Sequence, residues 1–588
     1  MGKRKSQRSD RPKRRSFSGN VYTRRREQAT EGSIIGEDRQ HQTRVEPNPK
    51  AQPKPSSSKV KLGPQIDDKV DEEQDLSGFR FVDVKILTDF VLNLLCPECK
   101  RPLGENKRLS FVSEEKSSLA SKLTFTCQCQ HKLSFWTSSK CGRTYEVNRR
   151  FPLAMFAIGR NFTQGKRFLG NMNMPTSMFK TSWAFHKKAI LHATERTADE
   201  STQKAAAELK ASKGEEVAVS CDGTWQRRGF QSKNGVFTVL SADKQNSKVI
   251  DTVVMSNYCD ACAKNKKKRT EEGFNEWKLT HAPACDKNHV GSAGSMEPAG
   301  ALTAFKRSET LHELKYVSFL GDGDSKSFSS VSKAEPPIYE NVKIEKLECC
   351  GHVQKRMARQ LTNKVAALKK ETFRQNGKTV TGIGGKGRLT KQGILNIQGH
   401  YGAAIRNNVG DVGAMQRDVR TILEHRNKVH VNCGLWCPSK KNPPGDPNIN
   451  ALPPYVCEAI TPVFETLSSD TLLSKCAHGG TQNTNESFHN MIWERCPKTG
   501  FVGRPRLTLA VSDATIAYND GEMGRLSIFT KLGMPQGYHT TKCFSELDRA
   551  RIKAAGARLQ PGERRARRIA AAQVAEGQEE FYQAGAHE

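Results

Sequence analysis

No run of about 18 apolar residues occurs in the 588-residue chain, so no transmembrane helix is expected. The first residues contain no apolar stretch of the kind a secretory leader needs, so none is expected there. Acidic residues are in deficit: 62 Asp plus Glu stand against 94 Lys plus Arg, a formal net charge of +32. A balance this basic favours a polyanionic partner, and nucleic acid is the usual one. No strongly amphipathic basic helix is placed to lie on an anionic membrane, so no membrane partner is expected. Disulfides are not expected either. The 17 cysteines are odd in number, and several stand in C-x-x-C or C-x-x-H pairs, which points to zinc in a reducing compartment.

What is present divides by composition. The length suggests roughly two to four domains. Residues 1–78 are rich in Arg, Lys, Ser, Pro and Gln and read as a disordered basic tail. Within them Lys3-Arg-Lys and Arg11-Pro-Lys-Arg-Arg15 resemble a bipartite nuclear import signal, so the nucleus is the expected compartment. Residues 79–148 carry Cys96-Pro-Glu-Cys99 and Cys127-Gln-Cys129-Gln-His131 near short strand-like stretches. Cys96, Cys99, Cys127 and Cys129 thus predict a zinc-ribbon-like unit, with His131 or Cys141 open as the alternative fourth ligand. Residues 149–212 show helical spacing of apolar residues and are a helical candidate for DNA contact.

From residue 213 the period changes. Apolar runs at 217–222, 236–240 and 249–254 read as strands. A Cys- and Lys-rich interruption over 256–290 follows, then a helical pattern at 296–314 and strands at 316–320 and 342–347. A long helix pattern runs from 353 to about 370. Three strands, helix, strand, helix, strand, helix is the order of a ribonuclease-H-like α/β core, a mixed sheet with helical flanks. The first part of that core spans 213–371, a largely helical insertion spans 372–475, and 476–547 completes the core. The insertion opens in a basic Gly-rich stretch, 382–387, which reads as flexible. It is not a Walker A loop, because Lys386 is followed by Gly. Residues 548–588 read as a charged tail containing Arg564-Arg-Ala-Arg-Arg568.

In this order Asp222 ends the first strand and Asp322 ends the fourth. Such strand ends are neighbours, and their carboxylates can share a divalent cation. Glu486, His489, Asn490 and Trp493 fall on one helix face, which can aim Glu486 at the aspartates. Three carboxylates suit Mg²⁺ or Mn²⁺. Two ions roughly 3.5–4 Å apart would activate a water or 3′-hydroxyl and stabilise the leaving oxygen, an in-line phosphoryl transfer. An Asp before Gly is more often a turn residue, and a helical Glu is usually solvated. The joint pattern, not any single residue, argues for a site. Asp324 is the alternate to Asp322 and is equally placed to cap the next helix.

Other clusters read as structural zinc sites. Cys259, Cys262, His281 and Cys285 predict a zinc knuckle that folds a Lys-rich loop, 264–269, towards phosphates. Cys349 and His352 form a C-x-x-H pair at a helix start and are candidate zinc ligands. His425, His430, Cys433 and Cys437 offer competing ways to complete four ligands, which spacing alone does not separate. Cys221 has no paired His and reads as packing rather than as a nucleophile.

The same residues carry a family resemblance. C-D-G-T-W at 221–225, G-D-G-D-S-K at 321–326, E-C-C-G-H at 348–352 and T-Q-N-T-N-E-S-F at 481–488 resemble the Mutator-like transposase domain. So do G-S-A-G-S-M-E at 291–297, G-R-L-T at 387–390 and Y-G-A-A-I-R at 401–406, from about residue 90 to the end. The resemblance implies a DDE-type transposase that cuts DNA and joins strands, with Asp222, Asp322 and Glu486 as its metal-binding catalytic triad. It implies double-stranded DNA, as transposon ends and target, for a partner. A homo-oligomer is expected because two ends must meet. The C-x-x-H pair is similar to one found between the second Asp and the Glu in related transposases. The rivals are a catalytically inactive, transposon-derived DNA-binding protein and a zinc-containing protein-interaction scaffold. Metal-dependent nicking lost on Glu486→Gln would separate the first, and weak salt-sensitive DNA affinity would mark the second.

Overall fold

The computed structural model describes residues 55–63, 77–105, 111–227, 231–243, 245–322, 326–434, 436–440 and 451–560. The import-signal candidate, Asp324 and the arginine run 564–568 lie outside the described residues.

The N-terminal cysteine unit is an antiparallel meander of β1 (Phe111–Ser117), β2 (Ala120–Thr126) and β3 (Lys132–Trp136). Period-two alternation on β2 sends Leu123 and Phe125 into a small core with Val91, Cys96 and Leu103. A short ladder of β4 (Lys140–Cys141) and β5 (Thr144–Tyr145) leads into the helix Glu146–Ala157. Helices Phe162–Asn171 and Lys180–Lys213 follow, and the latter packs along the helix Arg504–Gly524.

The central sheet contains β6 (Glu216–Trp225), β7 (Asn234–Ser241), β8 (Val249–Ser256), β9 (Lys315–Gly321) and β10 (Glu345–Glu348). Its order is β10-β9-β6-β7-β8. The first three strands pair antiparallel, while β9 runs parallel to β6 and β10 parallel to β9. The helix Ala293–His312 lies in the connection from β8 to β9. β7 is buried at every position, as a strand covered on both faces must be. Phe237 and Val239 pack with Ala301 and Phe305 on one face; Val236 and Leu240 pack with Phe488, Ile492 and Val511 on the other. Each large apolar side chain so buried contributes ~1.5–3 kcal/mol, which fixes both helix layers onto the sheet. β10 starts three residues later than the sequence suggested, and Ile344, just before it, joins the core instead.

The insertion has its own core. Helices Lys391–Asn407, Val412–Arg426 and Pro454–Leu467 pack with Cys350–Ala367 through Met357, Leu361, Ile397, Tyr401, Val419 and Ile460. A hairpin of β11 (Thr372–Gln375) and β12 (Lys378–Thr381) precedes them. The Gly-rich stretch expected to be flexible is a folded turn. Ile383 is fully buried, its carbonyl accepts from Leu389 N–H at 3.1 Å, and Gly382 N–H donates to Glu371 O at 2.7 Å.

Two tail boundaries need correction. The helix Ser57–Leu62, inside the stretch expected to be disordered, docks on the core. Leu62 is buried there, and Lys61 donates to Ser247 O at 3.1 Å with its ammonium 3.6 Å from the Tyr518 ring centroid. A carbonyl and an aromatic face thus replace the water that Lys61 gives up. The charged C-terminal tail does not begin at 548: the helix Tyr538–Leu559 runs through it, and buried Asp548 accepts from the N–H groups of Glu522 and Met523 at 2.9 and 3.0 Å. No described helix is long and apolar enough to cross a membrane.

Candidate active site

Strand alternation aims the side chains of β6. Val217, Val219 and Cys221 point into the core shared with the helix Ala293–His312. Ser220, Asp222 and Thr224 point to the opposite face, towards the helix Asn483–Arg495. That helix is clamped to β6 at successive turns. Asn485 accepts from Ser220 Oγ at 2.6 Å and donates to Ser220 O at 3.1 Å. His489 Nε2 lies 3.0 Å from Thr238 Oγ1 and its Nδ1 3.7 Å from Asp222 Oδ2. Trp493 Nε1 donates to Thr224 Oγ1 at 2.9 Å. Ahead of the helix, Gln482 donates to Cys221 O at 2.7 Å. Glu486, in the first turn, stays exposed at the rim of this contact and bears electrostatically on Asp222. The packed face is therefore 485, 488, 489 and 492, with Trp493 beside it. Asn490, expected on that face, is exposed.

Asp322 stands one residue beyond β9. The last pair between the adjacent parallel strands β6 and β9 is Ser220 with Leu320, so each aspartate lies two residues past that pair: Asp322 just beyond β9, and Asp222, expected to end its strand, within β6, which pairs with β7 as far as Trp225. Such strands run about 4.8 Å apart. Asp222 has a side chain 30% exposed and Asp322 one 65% exposed, so the pair opens to solvent on the Asp322 side.

The C-x-x-H pair does not join a metal cluster among the described residues. Cys349 Sγ instead accepts from Gln482 N–H at 3.4 Å, which anchors the approach to the glutamate helix. His352, in the first turn of Cys350–Ala367, sets Nδ1 3.2 Å from Asp322 Oδ1, at ion-pair distance without hydrogen-bond alignment. The Asp322 carboxylate raises the His352 imidazole above its ordinary value. Burial pushes His489 down to about 3, so it is neutral. Cys221 is buried, and burial raises its thiol well above the usual range, in keeping with a packing role.

A fourth carboxylate was not singled out from sequence. Glu297, in the first turns of Ala293–His312, lies against Gly223 from the face opposite Asp222. Its Oε1 accepts from Ser327 Oγ at 2.9 Å. Burial, and then the Glu297 carboxylate, push Asp222 up to about 7; Glu486 adds to this, while the Gly223 N–H and His352 oppose it. Burial also raises Glu297, with Asp322 adding to the effect. Carboxylates gathered this way repel one another unless a cation joins them. The signal available in the sequence was the G-S-A-G-S-M-E run ending at Glu297.

Among the described residues, three Cys/His clusters can hold zinc: Cys96, Cys99, Cys127 and Cys129; Cys259, Cys262, His281 and Cys285; and His425, His430, Cys433 and Cys437. In each, the ligand atoms lie within 4.8 Å of one another. Close pairs of 3.6 Å (Cys96–Cys129), 3.3 Å (Cys259–His281) and 3.4 Å (Cys437–His430) match the edges of a tetrahedron with bonds of about 2.0–2.3 Å. The donor sets therefore fit Zn²⁺. Cys129 completes the first set, not His131, which lies 3.9 Å from Glu98, nor Cys141, which is buried in a different core. The third set resolves the choice that spacing left open.

The Mutator-like transposase family profile matches residues 78–437, more than half of the chain, and the chain belongs to that family. The match includes Asp222 and Asp322 and ends before the Glu486 helix, so it is shorter than the resemblance read from sequence. Searches of curated proteins and of solved structures returned no match.

Proposed function

We propose that the chain is a DDE-type DNA transposase that uses Mg²⁺ or Mn²⁺ at Asp222, Asp322 and Glu486 to cleave DNA and transfer strands. The observation that carries this reading is the adjacency of Asp222, within β6, and Asp322, just past the end of the neighbouring parallel strand β9, beneath the Glu486 helix in a chain of this family. The sheet order β10-β9-β6-β7-β8, with three antiparallel strands followed by two parallel ones, supports a ribonuclease-H-like core. An all-oxygen donor set fits a hard divalent cation, which would supply Lewis-acid stabilisation of the reacting phosphate oxygens. Asp222 and Asp322 would hold it. Neutral His489 would keep positive charge away from Asp222, and His352 would pair with the Asp322 carboxylate.

Family membership implies DNA as the partner. The meander with its four cysteines is read as a zinc ribbon. That unit, the helices of 149–212 and the knuckle loop 264–269 would hold the DNA backbone. Nuclear localisation and self-association at paired element ends belong to the same proposal. It is tested by Mn²⁺-dependent nicking of plasmid DNA by wild type and Glu486→Gln. Nicking by wild type alone, with equal DNA affinity, supports it; equal nicking by both proteins overturns the role of Glu486.

A further inference from the structure

We propose that Glu297 is a fourth metal-site carboxylate, reaching the Asp222–Asp322 site from the far face of the sheet through the gap that Gly223 leaves. The inference rests on the transposase reading and extends it to a residue outside the three carboxylates named there.

Four observations carry it. Residue 223 sits on the β6 face opposite Asp222, and with any side chain there the space would be filled: a Cβ would meet Glu297 Cγ at 2.9 Å and Oε2 at 3.0 Å. The helix bearing Glu297 is drawn unusually close to the sheet. A Cβ on Gly300 would overlap the Phe237 side chain, and Trp225 Nε1 donates to Ala293 O at 3.0 Å. A fixed, short approach lets a glutamate reach the end of a strand. The carboxylate is also aimed, because Ser327 Oγ holds Oε1 at 2.9 Å and leaves Oε2 towards β6. Ser327 belongs to the helix Lys326–Ser332, which closely follows Asp322, so one hydrogen bond links Glu297 to the element after the second aspartate. Finally, no lysine, arginine or histidine among the described residues forms an ion pair with Glu297, although the chain has an excess of cations. A partly buried carboxylate beside two others, without a protein cation, is the environment a divalent ion would relieve.

A purely structural role, holding Ser327, is the competing account. Two variants of the full-length, zinc-loaded chain distinguish them by Mn²⁺ titration calorimetry and by thermal melting with and without Mn²⁺. Glu297→Gln keeps the shape and an oxygen for Ser327. It is expected to melt higher than wild type without Mn²⁺, because repulsion falls. It should bind Mn²⁺ about tenfold or more weakly, at least as much as losing an outer-sphere partner costs. Gly223→Ala removes no donor but presses on Glu297, and it should weaken Mn²⁺ binding as well. If Glu297→Gln fails to fold, Gly223→Ala decides the question in the same titration. Unchanged Mn²⁺ affinity in Glu297→Gln or, where that variant does not fold, in Gly223→Ala, beside lost affinity in Asp222→Asn, overturns the proposal and leaves the transposase reading standing. Absence of Mn²⁺ binding by wild type overturns both.

Discussion

Asp222 is held in a state that opposes its own ionisation. Its folded value of about 7 lies above the roughly 3.9 of an unfolded aspartate, so the native state binds the proton more tightly. That contribution to stability is present at low pH and is lost as pH rises from about 4 through 7. Metal-free protein should therefore lose stability across this window. Asp222→Asn should flatten the loss and be the more stable protein at pH 8, by ~1–2 kcal/mol after allowance for solvent screening, with near equality at pH 4. Urea denaturation of the zinc-loaded proteins at both pH values checks this. That the two aspartates lie on neighbouring segments of the sheet could be read from the sequence, because each follows an apolar strand run and precedes a glycine, although β6 continues three residues past Asp222. The place of Glu297 could not, because its partner Gly223 belongs to another element and only tertiary packing brings them together.

At the scale of elements, the helix Asn483–Arg495 carries the site's geometry through Asn485 rather than through Glu486. Asn485→Ala strips the amide partners from Ser220 O and Thr238 Oγ1 in a buried contact. It should cost ~1–3 kcal/mol in stability. It should also lower nicking at saturating Mn²⁺ under conditions where the variant remains folded, which paired melts and nicking assays would show. The helix itself was legible from its 3.6 period, but its facing set was read one residue off. A helix rotates about 100° per residue, and the register is decided by polar partners on β6 and β7 that spacing does not reveal. The C-x-x-H pair fits zinc by its spacing, but among the described residues it joins no cluster of three or more ligands: Cys349 accepts from Gln482 N–H and His352 faces Asp322. The complete third ligand set lies instead within 425–437, where His425 closes a helix and the other three ligands follow it. Cys437→Ser should therefore lower bound zinc by one per chain in metal analysis, whereas Cys349→Ser should leave the zinc count unchanged.

Across the whole molecule, the +32 charge was legible from composition, and so was the nucleic-acid partner it favours. The order of sheet elements was also legible, because β7, β8 and β9 are compact apolar runs with a helix pattern between β8 and β9. The docked helix at 57–62 was not, since its short apolar content is outweighed by the basic, polar sequence around it. Phosphate contacts should dominate DNA affinity, so log affinity should fall linearly with log salt. With six or more such contacts the loss between 50 and 200 mM salt is about a thousandfold or more, measurable by fluorescence anisotropy. The most direct measurement is cleavage of linear duplex DNA carrying candidate element ends in Mn²⁺, by wild type and by Asp222→Asn. Cleavage by wild type that the variant loses, with DNA affinity retained, is the predicted result. Tight binding of verified ends without cleavage by either protein would contradict a catalytic metal site and leave a DNA-binding protein that keeps its aspartates without using them.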